Sequence, residues 1–272
     1  MWTLEKPNIS DAIADIAKTI TASNGQLNKP DGVIMNYIYR EYDKNHGSIS
    51  SDVDDKLCDK QKKSLYSLYD NQIYKGGKLY YIRESIFGLA KVCPMCGFGE
   101  LHHLDHQMPR SKFKSLSVCR LNLIPTCGVC NNWKKAKDPS KFIHPYYDHA
   151  IENVPFFVVD INSDPDTHNL YWSFSINETL IADETLREKL TFQIGAIHLY
   201  ERLENETNEM LSDMLSGIEE LTKEALDETL KSEYRKHSRR RGVNDWHTVF
   251  VKSLIDSPHF TIEEAKVYAA KM

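Results

Sequence analysis

The chain has 272 residues, 41% hydrophobic, 27% charged and 10% aromatic, so it can bury a core and is not composed like a disordered segment. Its longest apolar run, Val154 to Val159, falls far short of the roughly 20 residues a membrane-spanning helix needs, which excludes a helical transmembrane protein. The formal charge of −5 speaks against a nucleic-acid partner only on average: between Lys91 and Lys141 nine basic residues stand against three acidic ones, a local +6 against −11 elsewhere.

Ile9, Ile13, Ile16 and Ile20 recur at helical spacing behind a possible Asn8 or Ser10 cap, which predicts a helix over 10–22. Asn24 and Gly25, then Lys29 to Gly32, read as turns. Further helices are expected over 33–43, over 53–73, where Leu57, Leu65, Leu68 and Ile73 share a face, and along the stripe Leu79, Ile82, Ile86 and Leu89. The stretch from Cys93 to Lys141 has turn residues and short apolar runs, with little helical periodicity before Asn131. Residues 154–160 and 169–176 are rich in Val, Phe, Tyr and Trp around a polar bend, which predicts a β-hairpin. From Leu186 a helical pattern runs to about residue 240, interrupted at Gly217, and Thr261 with Glu264 has the capping-box form that opens a last helix.

Four of the six cysteines form two C-x-x-C pairs, Cys93 with Cys96 and Cys127 with Cys130. No basic leader or apolar signal core opens the chain, so a reducing cytoplasm is the expected setting and metal is favoured over disulfides. Each pair can present two thiolates to one tetrahedral Zn2+, and a closed four-cysteine site is scaffold because it leaves no position open for catalysis. Thirty residues separate the pairs, more than a simple zinc ribbon needs, so the zinc loop carries an insert. Cys58 and Cys119 lie outside the pairs and read as small buried hydrophobes.

The insert and its exit contain Leu104, Asp105, His106, then Asn122, Leu123, Ile124, Pro125, then Cys130, Asn131, Asn132, Trp133, Lys134. Over about residues 93 to 137 the sequence resembles the HNH nuclease family, whose pattern is a strand ending in Asp-His, an Asn-Leu-x-Pro element and a zinc C-x-x-C leading into Cys-Asn-x-x-Lys on a helix. The resemblance implies His106 as general base, Asp105 and Asn131 as ligands of one Mg2+ or Mn2+, and Asn122 as the asparagine that orients the active loop. Asn131 stands where many members have a final His. The chemistry agrees with the residue types, since a neutral imidazole can take a proton from water near pH 7 and a carboxylate with an amide oxygen suits a hard cation. Arg110, Lys112, Lys134 and Lys135 are the expected nucleic-acid contacts, with DNA placed ahead of RNA. Asn131 is expected to begin a short helix whose N-terminus faces the phosphate. Neighbouring strand residues point to opposite faces, so Asp105 and His106 can share one metal only at a bulge or a strand end.

Beyond the motif, Tyr81 to Arg83, the stretch from Leu104 through Val118 and the later His144 to Tyr146 resemble the HNH subunit of Septu-type and retron-associated antiphage systems, which implies an ABC-type ATPase partner. Arg235 to Arg241 read as a solvated helix end, His102 and His103 as surface strand residues, and His144 to Tyr146 as packing. The expected fold is α+β and predominantly helical: a helical region over 1–90, a zinc-stapled ββα-metal module over 91–148, and a β-hairpin with helices over 149–272. The alternative is a non-catalytic four-cysteine zinc module that binds nucleic acid or a partner protein.

Overall fold

The structure is a computed structural model that describes residues 2–135, 137–217 and 222–271. Residues 218–221, inside the helical run expected up to 240, and residue 136, inside the central segment, lie outside the described residues. The chain divides into two compact units, Trp2–His149 and Ala150–Met272.

The first unit opens with α1 (Ile9–Ala22), capped by the Asn8 side chain, which accepts from the Ser10 N–H. Helix α2 (Lys29–Lys44) starts four residues earlier than the periodicity predicts. The Lys-Pro-Asp-Gly run is its first turn: Asn28 and Asp31 form a reciprocal capping box and Pro30 sits where no N–H is needed. The single helix expected over 53–73 is two, α3 (Ser51–Asp54) and α4 (Asp59–Gln72). The break lets the buried Asp54 carboxylate accept from the backbone N–H and hydroxyl of Ser115, a tertiary requirement invisible to periodicity. Cys58, at this break, is exposed rather than buried, whereas Cys119 is buried as expected.

After α5 (Tyr80–Phe87) come two antiparallel strands, β1 (His103–His106) and β2 (Leu123–Thr126), and the short α6 (Gly128–Lys134). The strand register sets His106 opposite Leu123 and Asp105 opposite Ile124. Leu104, Met108, Leu116, Val118, Leu121 and Leu123 join the apolar stripes of α1 to α5 in one core, so the N-terminal helices and the central segment fold around a common interior.

The second unit contains the expected hairpin, β3 (Phe157–Ser163) with β4 (Leu170–Ile176), followed by α7 (Glu184–Ala196), α8 (Leu199–Leu215), α9 (Lys223–Arg241), α10 (Trp246–Asp256) and α11 (Ile262–Ala269). The expected long run breaks between α7 and α8 at His198, which takes a left-handed φ of 48°. Trp172 anchors the hairpin, donating from Nε1 to the Thr207 hydroxyl at 2.9 Å and meeting Phe250 edge to face. The described residues are thus α-rich with two small two-stranded sheets. Among the described residues no helix is long and apolar enough to cross a membrane.

Candidate functional site

Cys93, Cys96, Cys127 and Cys130 are all buried, and their sulfurs lie within 4.8 Å of one another. Cys96 Sγ and Cys127 Sγ are 3.9 Å apart, close to the about 3.8 Å that two ligands on a tetrahedral zinc with Zn–S bonds of about 2.3 Å must keep. Backbone N–H groups point at the sulfurs: Gly99 donates to Cys96 Sγ at 3.3 Å and Cys130 to Cys127 Sγ at 3.4 Å. Gly97 adopts φ +82°, and a Cβ on Gly99 would come within 2.8 Å of Cys127 Sγ, so the knuckle needs both glycines. Hydrogen bonds among the four sulfurs hold the Cys127 thiol below its ordinary range and push the Cys93 and Cys130 thiols above theirs. The donor set is compatible with a structural zinc.

The same turn occupies the start of α6. Cys127 is its N-cap and its sulfur accepts the Cys130 amide, so the helix N-terminus serves the sulfur cluster rather than a phosphate. Asn131 lies half-buried in the middle of α6 instead of beginning it.

Strand β1 ends at His106, and the pleat sends its last two side chains apart. His106 is 9% exposed, its Nε2 lies 2.9 Å from the Ser117 carbonyl oxygen and its ring 4.5 Å from that of Tyr69 on α4. A carbonyl only accepts, so Nε2 carries the proton and the neutral ring keeps its lone pair on Nδ1. Tyr69 is tied to the same strand, its hydroxyl donating to Leu104 O at 2.5 Å. Burial pushes the His106 imidazole down to about 4, keeping it neutral near pH 7.

That shift has a stability consequence of definite sign. The unfolded chain takes up the His106 proton below about 6.5 and the folded chain resists until about 4, so the contribution is whole above 6.5 and is lost as pH falls through that window. The loss amounts to about 3 kcal/mol. Chemical denaturation at pH 7 and pH 5 should show a steeper acid loss for the wild type than for His106→Asn; equal slopes would mean that the imidazole is solvated.

Asp105 turns toward α6. Lys134 Nζ donates to Asp105 Oδ2 at 2.5 Å, to His106 O at 3.2 Å and to Gln107 Oε1 at 3.2 Å, and Lys134 is 3% exposed. Three oxygens, one of them a carboxylate, thus converge on one cationic nitrogen, the donor set a hard divalent cation also takes. Asn131 lies one turn before Lys134 on the same helix.

Asn122 is fully buried and clips the loop between the strands. Its Oδ1 accepts from Met108 N at 2.7 Å and Tyr42 OH at 3.0 Å, while Nδ2 donates to Met108 O at 3.1 Å and Leu116 O at 3.4 Å. Behind it His144 Nε2 lies 3.0 Å from the Tyr42 hydroxyl. His144 and Tyr146 are buried, and Tyr146 OH donates to Leu123 O, which gives the His-Pro-Tyr segment its packing role.

Among the expected phosphate contacts, Lys112 and Lys135 are exposed. Arg110 is half-buried, stacked on Tyr66 and Tyr69 and paired with Asp70 at 2.9 Å. Lys134 is not presented to a ligand, because the Asp105 carboxylate holds it inside. Sequence reasoning missed Tyr69, Ser117 and Gln107; Tyr69 stands 37 positions before His106, and nothing in either local pattern links them.

No protein-family model matches the chain, and no solved structure matches it. The chain is 31% identical over 99 residues to protein ea31 of Escherichia phage lambda, an overlap of 33% of this chain and 33% of that protein. It therefore spans about a third of the length of the relative it matches.

Proposed function

We propose that the protein is a metal-dependent endonuclease of the HNH type, with the four cysteines holding a structural zinc. The observation that carries this reading is a histidine kept neutral by burial, its tautomer fixed by the Ser117 carbonyl, at the end of a strand whose preceding residue supplies a carboxylate to an oxygen-lined cation position. A Mg2+ or Mn2+ held by Asp105 and Asn131 would neutralise charge growing on the phosphate and on the leaving oxygen. His106 takes the proton of the attacking water on Nδ1, and Ser117 and Tyr69 hold the ring for that transfer. Asn122 keeps the loop between the strands in shape, and the exposed Lys112 and Lys135 draw in the nucleic acid, with DNA placed ahead of RNA. The roles in antiphage defence and beside an ABC-type ATPase rest on the resemblance of the flanking segments.

Purified protein with Mn2+ should cut plasmid DNA, and His106→Ala at equal zinc content should lose roughly 100- to 10,000-fold of the rate, the usual worth of a general base. Cleavage unaffected by the substitution would overturn the reading. Two features favour the second reading, a non-catalytic zinc module: His106 is buried and Asp105 already has a cationic partner.

A further inference from the structure

We propose that Lys134 is a built-in competitor for the divalent cation: its ammonium sits in the oxygen-lined position at the end of β1, and a cation enters only when the lysine swings out. The inference rests on the metal-site assignment of the nuclease reading. Its basis is the geometry around Nζ, with Asp105 Oδ2 at 2.5 Å and His106 O and Gln107 Oε1 each at 3.2 Å. A lysine that is 3% exposed has given up its water, and it is held there by the Asp105 carboxylate and by the Phe142 ring, 5.7 Å from the ammonium. An ammonium and a divalent cation cannot both fill the position lined by Asp105 Oδ2, His106 O and Gln107 Oε1, so occupancy of that position is exclusive. Gln107 is part of the latch, since its Nε2 reaches back to Pro139 O at 3.4 Å while its Oε1 holds Nζ. The residue after Lys134, Lys135, has φ +31°, a backbone conformation that a non-glycine residue holds only against strain, so the turn that carries the lysine is held by its contacts rather than by its own preference.

The cost of expelling the lysine appears as weakened metal affinity. If the lysine-in state holds nine-tenths or more of the population, the apparent dissociation constant rises about ten-fold or more over that of an open site. Removing the competitor removes that cost, and binding a phosphodiester near the site provides a new partner for the displaced ammonium.

The experiment is calorimetric titration of the zinc-loaded full chain with Mn2+, for wild type, Lys134→Met and the double variant Asp105→Asn with Lys134→Met. Lys134→Met is expected to bind Mn2+ about ten-fold tighter than wild type or better, and the double variant to lose the site. Equal affinity in wild type and Lys134→Met, or binding in neither, overturns the proposal. Acylation of Lys134 in the wild-type chain, followed by peptide mass spectrometry, needs no variant: the lysine should be protected alone and labelled with saturating Mn2+, and labelling that Mn2+ leaves unchanged also overturns it. Tighter Mn2+ binding by Lys134→Met together with a wild type that cuts no nucleic acid would keep the competitor and sink the nuclease; cleavage by a wild type whose metal affinity ignores Lys134 would do the reverse.

Discussion

Stripping zinc from the chain is expected to unfold the Trp2–His149 unit. The four sulfurs are buried within 4.8 Å of one another, and without a cation between them their thiolates would repel in a space closed to water. Replacing the metal by protons leaves four thiols packed against one another, with the amides of Gly99 and Cys130 donating to two of them. Structural zinc carries on the order of 10 kcal/mol of folding free energy in finger peptides, as much as the whole stability of an ordinary domain. The effect spreads beyond the knuckle because Leu104 and Leu123, on the strands the knuckle joins, belong to the core shared with α1 to α5. Near-UV circular dichroism with and without a strong chelator, and for Cys127→Ser, should lose the tertiary signal in step with released zinc. A chelated protein that keeps its signal, or a wild type that contains no zinc, would sink the assignment.

Arg120→Met should be the most damaging substitution away from the cysteines. Arg120 and Asp15 form a two-pronged pair, Nε to Oδ2 at 2.6 Å and NH2 to Oδ1 at 2.9 Å, and both are buried. Tyr81 OH also donates to Asp15 at 2.7 Å. Deleting the guanidinium leaves the carboxylate inside with only the tyrosine, and removing one partner of a buried pair costs about 3–5 kcal/mol. The pair links α1 to the turn holding Asn122, two residues on, so on the proposed nuclease reading cleavage should fall along with stability. Guanidinium denaturation gives the direct measure. A loss below about 1 kcal/mol would show the pair behaving as a surface ion pair, and Asp15→Leu added to Arg120→Met should recover part of the loss because no charge is then stranded.

The sequence made the regular elements readable where a single period governed them. The isoleucine stripe of α1 and the aromatic strands of the β3–β4 hairpin follow from local pattern; α1 and β4 stand within one residue of their expected bounds, and β3 lies three residues later than the expected 154–160. The misreadings have different causes, one local and one distant. The Lys-Pro-Asp-Gly run that opens α2 has the composition of a turn and becomes helical because Asn28 and Asp31 cap it reciprocally. The break before α4 exists so that Asp54 can hold Ser115, sixty-one positions away. In the candidate site, cysteine spacing announced the sulfur cluster, and the Asp-His and Asn motifs marked a strand end and a buried loop clip. The pairing of Lys134 with Asp105 and the contact of Tyr69 with His106 were not legible, because each depends on how distant elements pack.

The Asn122 clip also bears on how such a protein can change over generations. By holding Met108 at one end and Leu116 at the other, a single amide takes over the task of shaping the chain between them. The residues it spans include the exposed Ser111 and Lys112, which are thereby released from specifying their own path. Substitutions there can change what the loop touches while the scaffold stays intact, and that freedom depends on the Asn122 amide.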